Sequence, residues 1–387
     1  MATFTDISIW RWLRPWWLLA AIALIVEAFS SAGTLPEVAA QELQPDPPLL
    51  LEPALETNTV AFRDIPTVAE PLWTNYALTE ALFWGRDNQA ANVPLVTAVG
   101  SGATLISAGD PQFPVAAGVR AFYGERNPNE CGWELGYFGV YGMSASRIAT
   151  TTPPQYLEVP GALGPLLTAD GETATVKYNS VINSAEANVF RTSNYWRDTT
   201  ESWLTLDWLA GFRYISVEEQ ASINTTCCVN TTDTTVPYSV RTRNNMFGGQ
   251  IGSRARWTWD RWALEGWAKA GVLGNSAKQI QDPLVDYTGF EQRGARSATG
   301  TDVGFIGDIN ISAIYRLTDV WGIRVGYNTV WIGGLALAPN QFDFNNTSIA
   351  GTGLNSGDGI FLSGANLGLE ANGSTPEGRG LIHQHRP

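Results

Sequence analysis

The sequence predicts an all-β protein: a transmembrane antiparallel up-and-down β-barrel of about ten strands. Three observations favour this fold. Apolar and polar residues alternate with a period of two in successive segments, the connections between segments alternate between long and short, and aromatic residues concentrate near both ends of the apolar faces. Barrels of the outer-membrane type have short periplasmic turns and long extracellular loops, so we expect that arrangement here.

The amino terminus has the three parts of a secretory signal peptide. Arg11 and Arg14 precede an apolar run over residues 15–26, and small residues follow. We expect residues 1–32 to be removed by cleavage after Ala32, with Ala40 as the alternative site. The run is shorter than the roughly 18 residues of a spanning helix, but an uncleaved anchor helix remains the competing interpretation.

The rest of the chain divides by pattern. Residues 33–72 are Pro-rich, acidic and aperiodic, which predicts an extended linker. Alternation then predicts a barrel over 73–370, followed by a polar tail over 371–387, and no helical period competes with it. The expected strands lie near 74–85, 115–124, 132–143, 184–192, 202–217, 244–259, 262–275, 302–316, 320–333 and 358–370.

The lengths of the connections between these segments indicate the topology. Loops of opposite length alternate along the chain, so long and short loops collect at opposite ends, which a soluble sandwich gives no physical reason to do. A segment at 93–107 could add a short hairpin, and twelve strands is therefore the alternative count. The long connections are predicted over 86–114, 144–183, 218–243, 276–301 and 334–357, and the short ones over 125–131, 193–201, 260–261 and 317–319.

Two hairpins predict register as well as strand positions. In residues 244–275 the apolar parity switches after Asp260 and Arg261, as a two-residue turn requires. The second hairpin lies around Thr318. A three-residue turn there would place Tyr315 opposite Trp321, and Ala313 opposite Ile323. In the first hairpin the expected partners are Trp259 and Trp262, Trp257 and Leu264, Arg256 and Glu265 in a salt bridge, and Arg254 and Trp267 in a cation–π contact.

The two faces of the predicted strands differ in chemistry. Aromatic residues on the apolar face are expected at the two membrane interfaces, because Trp and Tyr favour the headgroup region. Charged residues on the other face are expected to line the lumen, either as a selectivity constriction or as salt bridges that fill it. The interface set is Tyr123, Trp133, Trp257, Trp259, Trp262, Tyr315, Trp321 and Trp331, and the lumen set is Asp207, Arg213, Arg254, Arg256, Glu265, Lys269, Asp308 and Arg324.

The residue inventory argues against a catalytic or metal site. The only histidines, His383 and His385, lie in the tail, so a histidine-based hydrolytic site inside the barrel is not expected. Cys131, Cys227 and Cys228 are too few for a disulfide framework, and free thiols or an adjacent disulfide are the simplest interpretations of the last two. We predict no enzyme activity, no cofactor and no metal.

Six stretches, spread in order over nearly all of 73–371, form a recognisable pattern. They are LTEALFWGRDNQAANVPLVT (78–97), CGWELGYFGVYG (131–142), LAGFRYI (209–215), NNMFGGQIG (244–252), YRLTDVWGIRVGYN (315–328) and FLSGANLGLEA (361–371). These stretches resemble the putative beta barrel porin-7 family, a group of outer-membrane barrels known from their predicted architecture. The resemblance implies a fold but no established substrate. The tail beyond GLEA departs from the usual aromatic end of such barrels.

Two functions are compatible with this sequence. The first is a narrow passive pore for small solutes in a bacterial outer membrane, since ten strands leave little space inside. The second is a structural or surface-interaction barrel with an occluded lumen, acting through long loops such as the Thr-rich stretch 224–235. Expected partners are the lipid bilayer, lipopolysaccharide and the barrel-assembly machinery. The net charge of −13 argues against nucleic acid, and the partners of the loops are not indicated.

Overall fold

A computed structural model describes residues 74–168, 171–197, 202–229 and 232–374 of the chain. The predicted signal peptide, the whole of the predicted linker and both histidines lie outside these residues. Cys131 is a free thiol, and the side chains of Cys227 and Cys228 are outside the described part. None of the described helices is both long enough and apolar enough to span a membrane.

Ten long antiparallel strands form a closed barrel, as predicted. Each strand pairs with the next along the chain, and β10 returns to pair with β1, so that no edge of the barrel sheet is left open there. The strands are β1 Thr74–Asp87, β2 Ala116–Arg126, β3 Cys131–Thr150, β4 Gly171–Arg197, β5 Ser202–Val229, β6 Thr232–Trp259, β7 Trp262–Gln281, β8 Arg296–Arg316, β9 Trp321–Leu335 and β10 Asp358–Ser374.

The register of the strands fixes their tilt. A row of paired residues that starts at Leu264 on β7 runs around the barrel and returns to β7 at Ser276, twelve residues further on. A stagger of this size with ten strands requires a tilt of about 40° to the barrel axis. The interior is therefore only slightly wider than that of an eight-stranded barrel, which side chains fill.

Several strands continue beyond their predicted ends on the long-loop side. The clearest case is the connection predicted over 218–243, where β5 extends to Val229 and β6 begins at Thr232. The Thr-rich stretch 224–235 is therefore mostly strand, not loop. The apolar-out alternation fades there, but β-branched residues still favour extended structure, and Ile223 and Val236 are buried on the inner face.

The long loops, called the outer loops below, contain short elements of their own. The segment 93–107 forms the anticipated short hairpin, with Pro94–Ala98 paired to Thr104–Ser107, but it lies outside the ten-strand ring. The remaining short elements are strands Leu157–Glu158, Leu284–Val285 and Glu291–Arg293, helix Gly164–Leu167 and 3₁₀-helix Ala338–Gln341.

The two predicted hairpin registers have different outcomes. All four pairs predicted for the β6–β7 hairpin are opposite each other, and Asp260 adopts a left-handed φ of 48° at its turn. The register predicted for the β8–β9 hairpin is wrong by two residues, since Tyr315 lies opposite Ile323. The turn is displaced because Leu317 and Trp321 pair, and Thr318 Oγ1 accepts the N–H of Trp321. A shift of two preserves which face each residue occupies.

The last long loop turns into the barrel at the end of β9. Gly334 there has a φ of 81°, and a Cβ at this position would lie 2.5 Å from the carbonyl oxygen of Val303. Only glycine fits such a position, because it combines a left-handed backbone with close backbone approach. Residues 336–338 then lie fully buried inside the mouth of the barrel.

Closure at β1 and β10 can be tested with an engineered disulfide. Ala81 and Leu367 are directly opposite each other on the outward face of these two strands. In a background with the three native cysteines changed to serine, A81C/L367C should oxidise to a disulfide, because opposite residues have the required separation. A81C/A313C is the matched control, with its second position on β8, and should stay reduced. The measurement is gel mobility after oxidation, and a reduced A81C/L367C pair would contradict the ten-strand closure.

Candidate functional site

The interior of the barrel is the largest concentration of polar side chains in the described chain. All eight residues of the predicted lumen set point inward, and most are almost completely buried, including Arg213 and Arg324. Further charged residues outside the predicted lumen set join them; of these, Glu80 had been expected to point inward from the first strand. These are Glu80, Arg86, Arg120, Arg126, Glu134, Glu186, Glu219 and Glu370.

Arg324 is the centre of one ionic cluster. Its Nη2 lies 2.7 Å from Glu265 Oε1, and its Nε lies 3.0 Å from Glu80 Oε1. Its Nη1 lies 3.3 Å from Glu370 Oε2. Arg256 joins the same carboxylates from another strand, donating to Glu265 at 3.2 Å and also to Glu370. The predicted Arg256–Glu265 bridge is therefore present, as part of a larger network.

A second cluster links strands that are not neighbours in the sheet. Arg254 donates to Glu134 at 2.8 Å and to Asp207 at 2.9 Å. Lys269 lies 3.4 Å from Glu134 and 3.0 Å from Glu186. The bonds to Glu134 and Glu186 cross the lumen, because β6 and β7 supply the cations while β3 and β4 supply the carboxylates. Asp207 lies directly opposite Arg254 on the adjacent strand β5. The cluster therefore fills the space that an open channel would leave.

Aromatic rings pack against these two ionic clusters. Together the clusters and rings form one layer across the lumen, called the ionic layer below. The predicted stacking of Arg254 on Trp267 is wrong: the guanidinium of Arg254 lies over Tyr76 at 5.3 Å and Phe190 at 5.1 Å. The carboxylates across the lumen draw Arg254 away from its neighbour on β7. Trp267 instead faces the guanidinium groups of Arg120 at 5.2 Å and Arg324 at 5.4 Å.

The interior charges balance. Eight basic and eight acidic side chains make up the network, and each has at least one oppositely charged partner within 4.0 Å. Buried ions are tolerated when they are paired and hydrogen-bonded. Every member of the network is paired, although Nε and Nη1 of Arg86 have no hydrogen-bond partner among the described residues. Within the described residues, the network has no excess of either sign.

Above the ionic layer, on the long-loop side, the interior becomes apolar. Trp84, Ile332 and Leu362 from the barrel wall are fully buried and belong to one hydrophobic cluster with Leu95 and Leu163 from the outer loops. The loops thus fold over the barrel mouth and exclude water from it. We call this apolar layer the plug. Apolar burial, the main stabilising term in folding, holds it in place.

Polar anchors hold the last long loop inside this plug. The side chain of Asn244 donates to the carbonyl of Ala336 at 3.0 Å and accepts its N–H at 2.8 Å. Glu219 accepts the N–H of Ala338 at 3.0 Å and lies 2.7 Å from Arg86. Tyr178 donates to Glu219 and accepts from Arg86, both at 2.8 Å. The loop is therefore bonded to the barrel wall and does not merely rest on it.

The described residues enclose a cavity of about 430 Å³ at the short-turn end, where Arg126, Arg254, Arg256 and Glu370 form part of the wall. A second cavity, of about 690 Å³, lies among the outer loops. Both ionic clusters contribute to the wall of the first cavity, and the apolar plug lies between it and the second.

The predicted interface aromatics lie on the outward face. Trp257, Trp262 and Trp321 near the short turns and Trp331 near the long loops each expose between 42% and 47% of their surface. The other members are half-buried by their neighbours. Ring contacts join Tyr123 with Trp133, Trp257 with Trp259, and Trp262 with Tyr315.

The described residues contain no group of three His, Cys, Asp or Glu side chains placed to hold a metal ion.

Most of the charged interior residues that were missed could have been predicted from the alternation of inward and outward residues along the strands. Arg120, Glu134, Glu186 and Glu370 occupy the inward parity of strands that had already been recognised, so the parity rule used for Arg256 would have found them.

The closed ring of antiparallel strands, with its apolar outside and charged inside, defines a porin-like β-barrel of the outer-membrane type. The family model described as Putative beta barrel porin-7 matches residues 166–357. The family resemblance predicted from the sequence is therefore confirmed. Among curated proteins, none matches the chain.

Solved structures with related folds share little sequence with this chain. The outer membrane protease OmpT from Escherichia coli is 10% identical, with a TM-score of 0.41, covering 79% of this chain and 97% of that chain. The toluene transporter TodX from P. putida is 8% identical, with a TM-score of 0.20, covering 79% and 91%. An anion-selective porin from Comamonas acidovorans is 6% identical, with a TM-score of 0.13, covering 78% and 99%. The activities of these proteins are not transferred to this chain.

The ionic network gives a stability prediction. Arg324→Met removes the cation shared by Glu80, Glu265 and Glu370 and should destabilise the barrel by about 3–5 kcal/mol, because buried carboxylates are left with too little compensation. The control is Arg243→Met, which breaks an exposed pair with Glu218 and should cost less than about 1 kcal/mol. Urea unfolding of both variants in phospholipid vesicles measures the difference. Equal losses would show that the interior pairs are not buried.

An outer loop gives a pH prediction. The Asp286 carboxylate accepts hydrogen bonds from the Thr288 hydroxyl and Gln292, and from the N–H groups of Thr288 and Phe290, which lowers the pKa of Asp286 to about 2. Because the pKa of Asp286 is lower in the folded loop than in the unfolded chain, its ionised carboxylate stabilises the loop above about pH 4. This stabilisation is lost as the pH falls towards about 2. Hydrogen-exchange protection of the Phe290 amide should therefore fall as the pH drops from 4 to about 2. In Asp286→Asn the protection should be weak and independent of pH over this range.

Proposed function

We propose that the protein is an integral β-barrel of a bacterial outer membrane. The outward face supports this location, because Ile251, Val189 and Ile309 expose 69%, 63% and 59% of their surface, and apolar side chains continue around the ring. Soluble monomers rarely expose a continuous apolar surface of this extent. Lipid, lipopolysaccharide and the barrel-assembly machinery are the partners that this location implies.

The separation of the aromatic residues supports the same proposal. Trp321 and Trp331 lie ten residues apart on β9 and both face outward. At about 3.4 Å per residue and a tilt of about 40°, they are separated by about 25 Å along the barrel axis. That distance equals the height of the apolar band on outer-membrane barrels, so the two rings suit the two membrane interfaces. The long loops would then face outward from the cell.

We further propose that the barrel is closed and not catalytic, and that it acts through its outer loops. The observation that carries this proposal is the burial of inward side chains midway along the barrel. Arg213, Ser184 and Asn328 expose 0%, 2% and 1% of their surface, although all three point into the lumen. In an open channel these atoms would contact water. Conduction would require both the ionic layer and the apolar plug to rearrange.

The narrow pore is the second candidate, and the cavity at the short-turn end favours it. The side chains of Arg126 and Arg256 there are 28% and 25% exposed, so this end of the lumen is accessible to water. If the outer plug opened, the cavity would become the entrance of a channel. Arg254 and Arg256 would then lie on the path of a permeating ion.

Planar-bilayer recordings separate the two candidates. The folded wild-type barrel should be electrically silent, and a variant with residues 339–356 replaced by a short Gly/Ser linker should also remain silent, because the ionic layer still closes the lumen. The shift in gel mobility on heating is the folding control. Discrete conductance steps in the wild type that change in Arg254→Ser or Arg256→Ser would establish the pore instead. Steps seen only after the loop replacement would show that the plug is the sole barrier.

A further inference from the structure

The larger cavity lies at the opposite end from the short turns, among three outer loops. Its wall combines residues from the loops over 88–115, 151–170 and 336–357 with Gln281 at the end of β7. Its volume of about 690 Å³ is in the range of pockets that enclose small organic ligands. It is separate from the short-turn cavity and contains none of the interior ion pairs.

Side-chain amides dominate the polar part of this pocket. An amide offers donors and an acceptor without a net charge, which suits hydroxyl groups that both donate and accept. Gln281 and Gln341 are buried and use both amide hydrogens within the protein, whereas Asn345 and Asn355 are exposed and keep amide hydrogens for a ligand. No lysine, arginine or histidine lies in the wall that the structure describes, and Asp343 is its single charged residue. The amide-bearing residues are Gln281, Asn340, Gln341, Asn345 and Asn355.

The carboxylate of Asp343 is already occupied. Its Oδ1 accepts the backbone N–H and the side-chain amide of Asn345, at 3.1 and 2.8 Å, and its Oδ2 accepts the N–H of Gly351 at 3.0 Å. A cationic ligand would find this one carboxylate saturated. An anionic ligand would find no basic side chain in the described wall, because Arg293 behind it is buried and donates to Gln281 at 2.7 Å and to the carbonyl of Asn345 at 3.0 Å. The pocket therefore favours a neutral ligand.

An aromatic shelf lies beside these amides. The rings of Phe342 and Phe344 are stacked at 5.6 Å with planes 12° apart, and both line the pocket. Tyr238 packs edge-on against Phe344 at 5.7 Å and fixes the shelf from behind. A sugar ring has an apolar face of C–H groups and a rim of hydroxyls, and a wall of aromatic carbon next to amides matches both.

The pocket is preorganised by bonds between loops. Leu163 donates its N–H to the carbonyl of Phe344 at 3.0 Å, and Ala91 donates its N–H to Asn340 Oδ1 at 3.2 Å. Gln341 accepts the N–H of Asn355 at 2.9 Å and donates to its carbonyl at 2.6 Å. Rigid walls reduce the entropy lost on binding. The side-chain amide of Asn355 is exposed and makes no hydrogen bond with the described residues, so it is available to a ligand.

We propose that this pocket binds a neutral saccharide at the cell surface. The inference rests on the proposed closed barrel with its long loops outside, and it specifies what the loops recognise. Saccharide hydroxyls bond to the exposed amides of Asn345 and Asn355 while one ring face stacks on Phe342. The saccharide could be a free oligosaccharide or the polysaccharide part of a surface lipid, since the recognised chemistry is the same.

The test uses the full barrel folded in detergent on a glycan array that contains neutral, sialylated and sulfated oligosaccharides. The wild type should retain neutral glycans. Gly353→Trp should lose that binding. Gly353 lines the pocket, a side chain added there meets open space, and the substitution removes no side-chain hydrogen bond. Ser348→Trp is the matched control, an exposed residue of the same loop outside the pocket wall, and it should bind like the wild type.

A second pair of variants tests the hydrogen-bonding group. Asn355→Ala should weaken binding by about fivefold, which corresponds to one lost hydrogen bond. Asn346→Ala, an exposed asparagine of the same loop outside the pocket wall, should not change it. Competition between a retained free glycan and vesicles carrying lipopolysaccharide with a neutral polysaccharide identifies the source.

Three outcomes overturn the proposal: a silent array, retention of anionic glycans alone, or equal binding by Gly353→Trp and Ser348→Trp. Planar-bilayer recordings on the same preparation keep the two proposals distinct. A silent array with a silent bilayer refutes only the saccharide pocket. Conductance with retained glycan binding refutes only the closed barrel.

Discussion

Pairing between β1 and β10 is the constraint on which the rest of the structure depends. It closes the sheet, and the stagger between Leu264 and Ser276 on β7 fixes how wide the closed ring can be. A ring of this width has room for side chains but not for a continuous column of water. Every charge on the inward face must therefore find an opposite charge inside, since desolvating an unpaired ion is too costly. The balance of eight basic and eight acidic groups follows from closure.

This interior is well suited to holding a barrel in one shape, and poorly suited to transport. Buried ion pairs add little net stability compared with apolar packing, but removing one partner is costly, so the network specifies one arrangement. Arg324 illustrates this, because its three partners come from β1, β7 and β10 and tie distant parts of the ring together. The apolar plug adds a second seal on the outer side. With the barrel closed as proposed, function falls to the loops, where one pocket combines neutral amides and aromatic rings.

The sequence was sufficient for the fold, the strand parity and part of the interior. Period-two alternation predicted which way Arg256 and Glu265 point, and their pairing follows from adjacent strands. The Arg254–Glu134 bond could not be predicted, because it joins β6 to β3 across the lumen and depends on the curvature of the closed ring. The length of β5 and β6 was missed for another reason. Beyond the apolar band the outward face becomes polar, so the contrast between the two faces that predicted the strands disappears, although Thr and Val still favour extended structure. The inward course of the last loop was not predictable from pattern either, since it depends on Gly334 and on anchors such as Asn244.

The accessibility of Ser184 is the most direct test of whether the lumen is closed. Ser184 points inward from β4, between the ionic layer and the apolar plug, and is 2% exposed. In a background without the native cysteines, Ser184→Cys in oriented vesicles is treated with a membrane-impermeant thiol reagent from each side in turn. Thr74→Cys at the short-turn rim and Ser348→Cys on the outer loop report access from the two sides. A closed barrel predicts that the two rim thiols react and that Cys at position 184 does not react from either side. Rapid modification at position 184, from either side, would contradict a closed lumen.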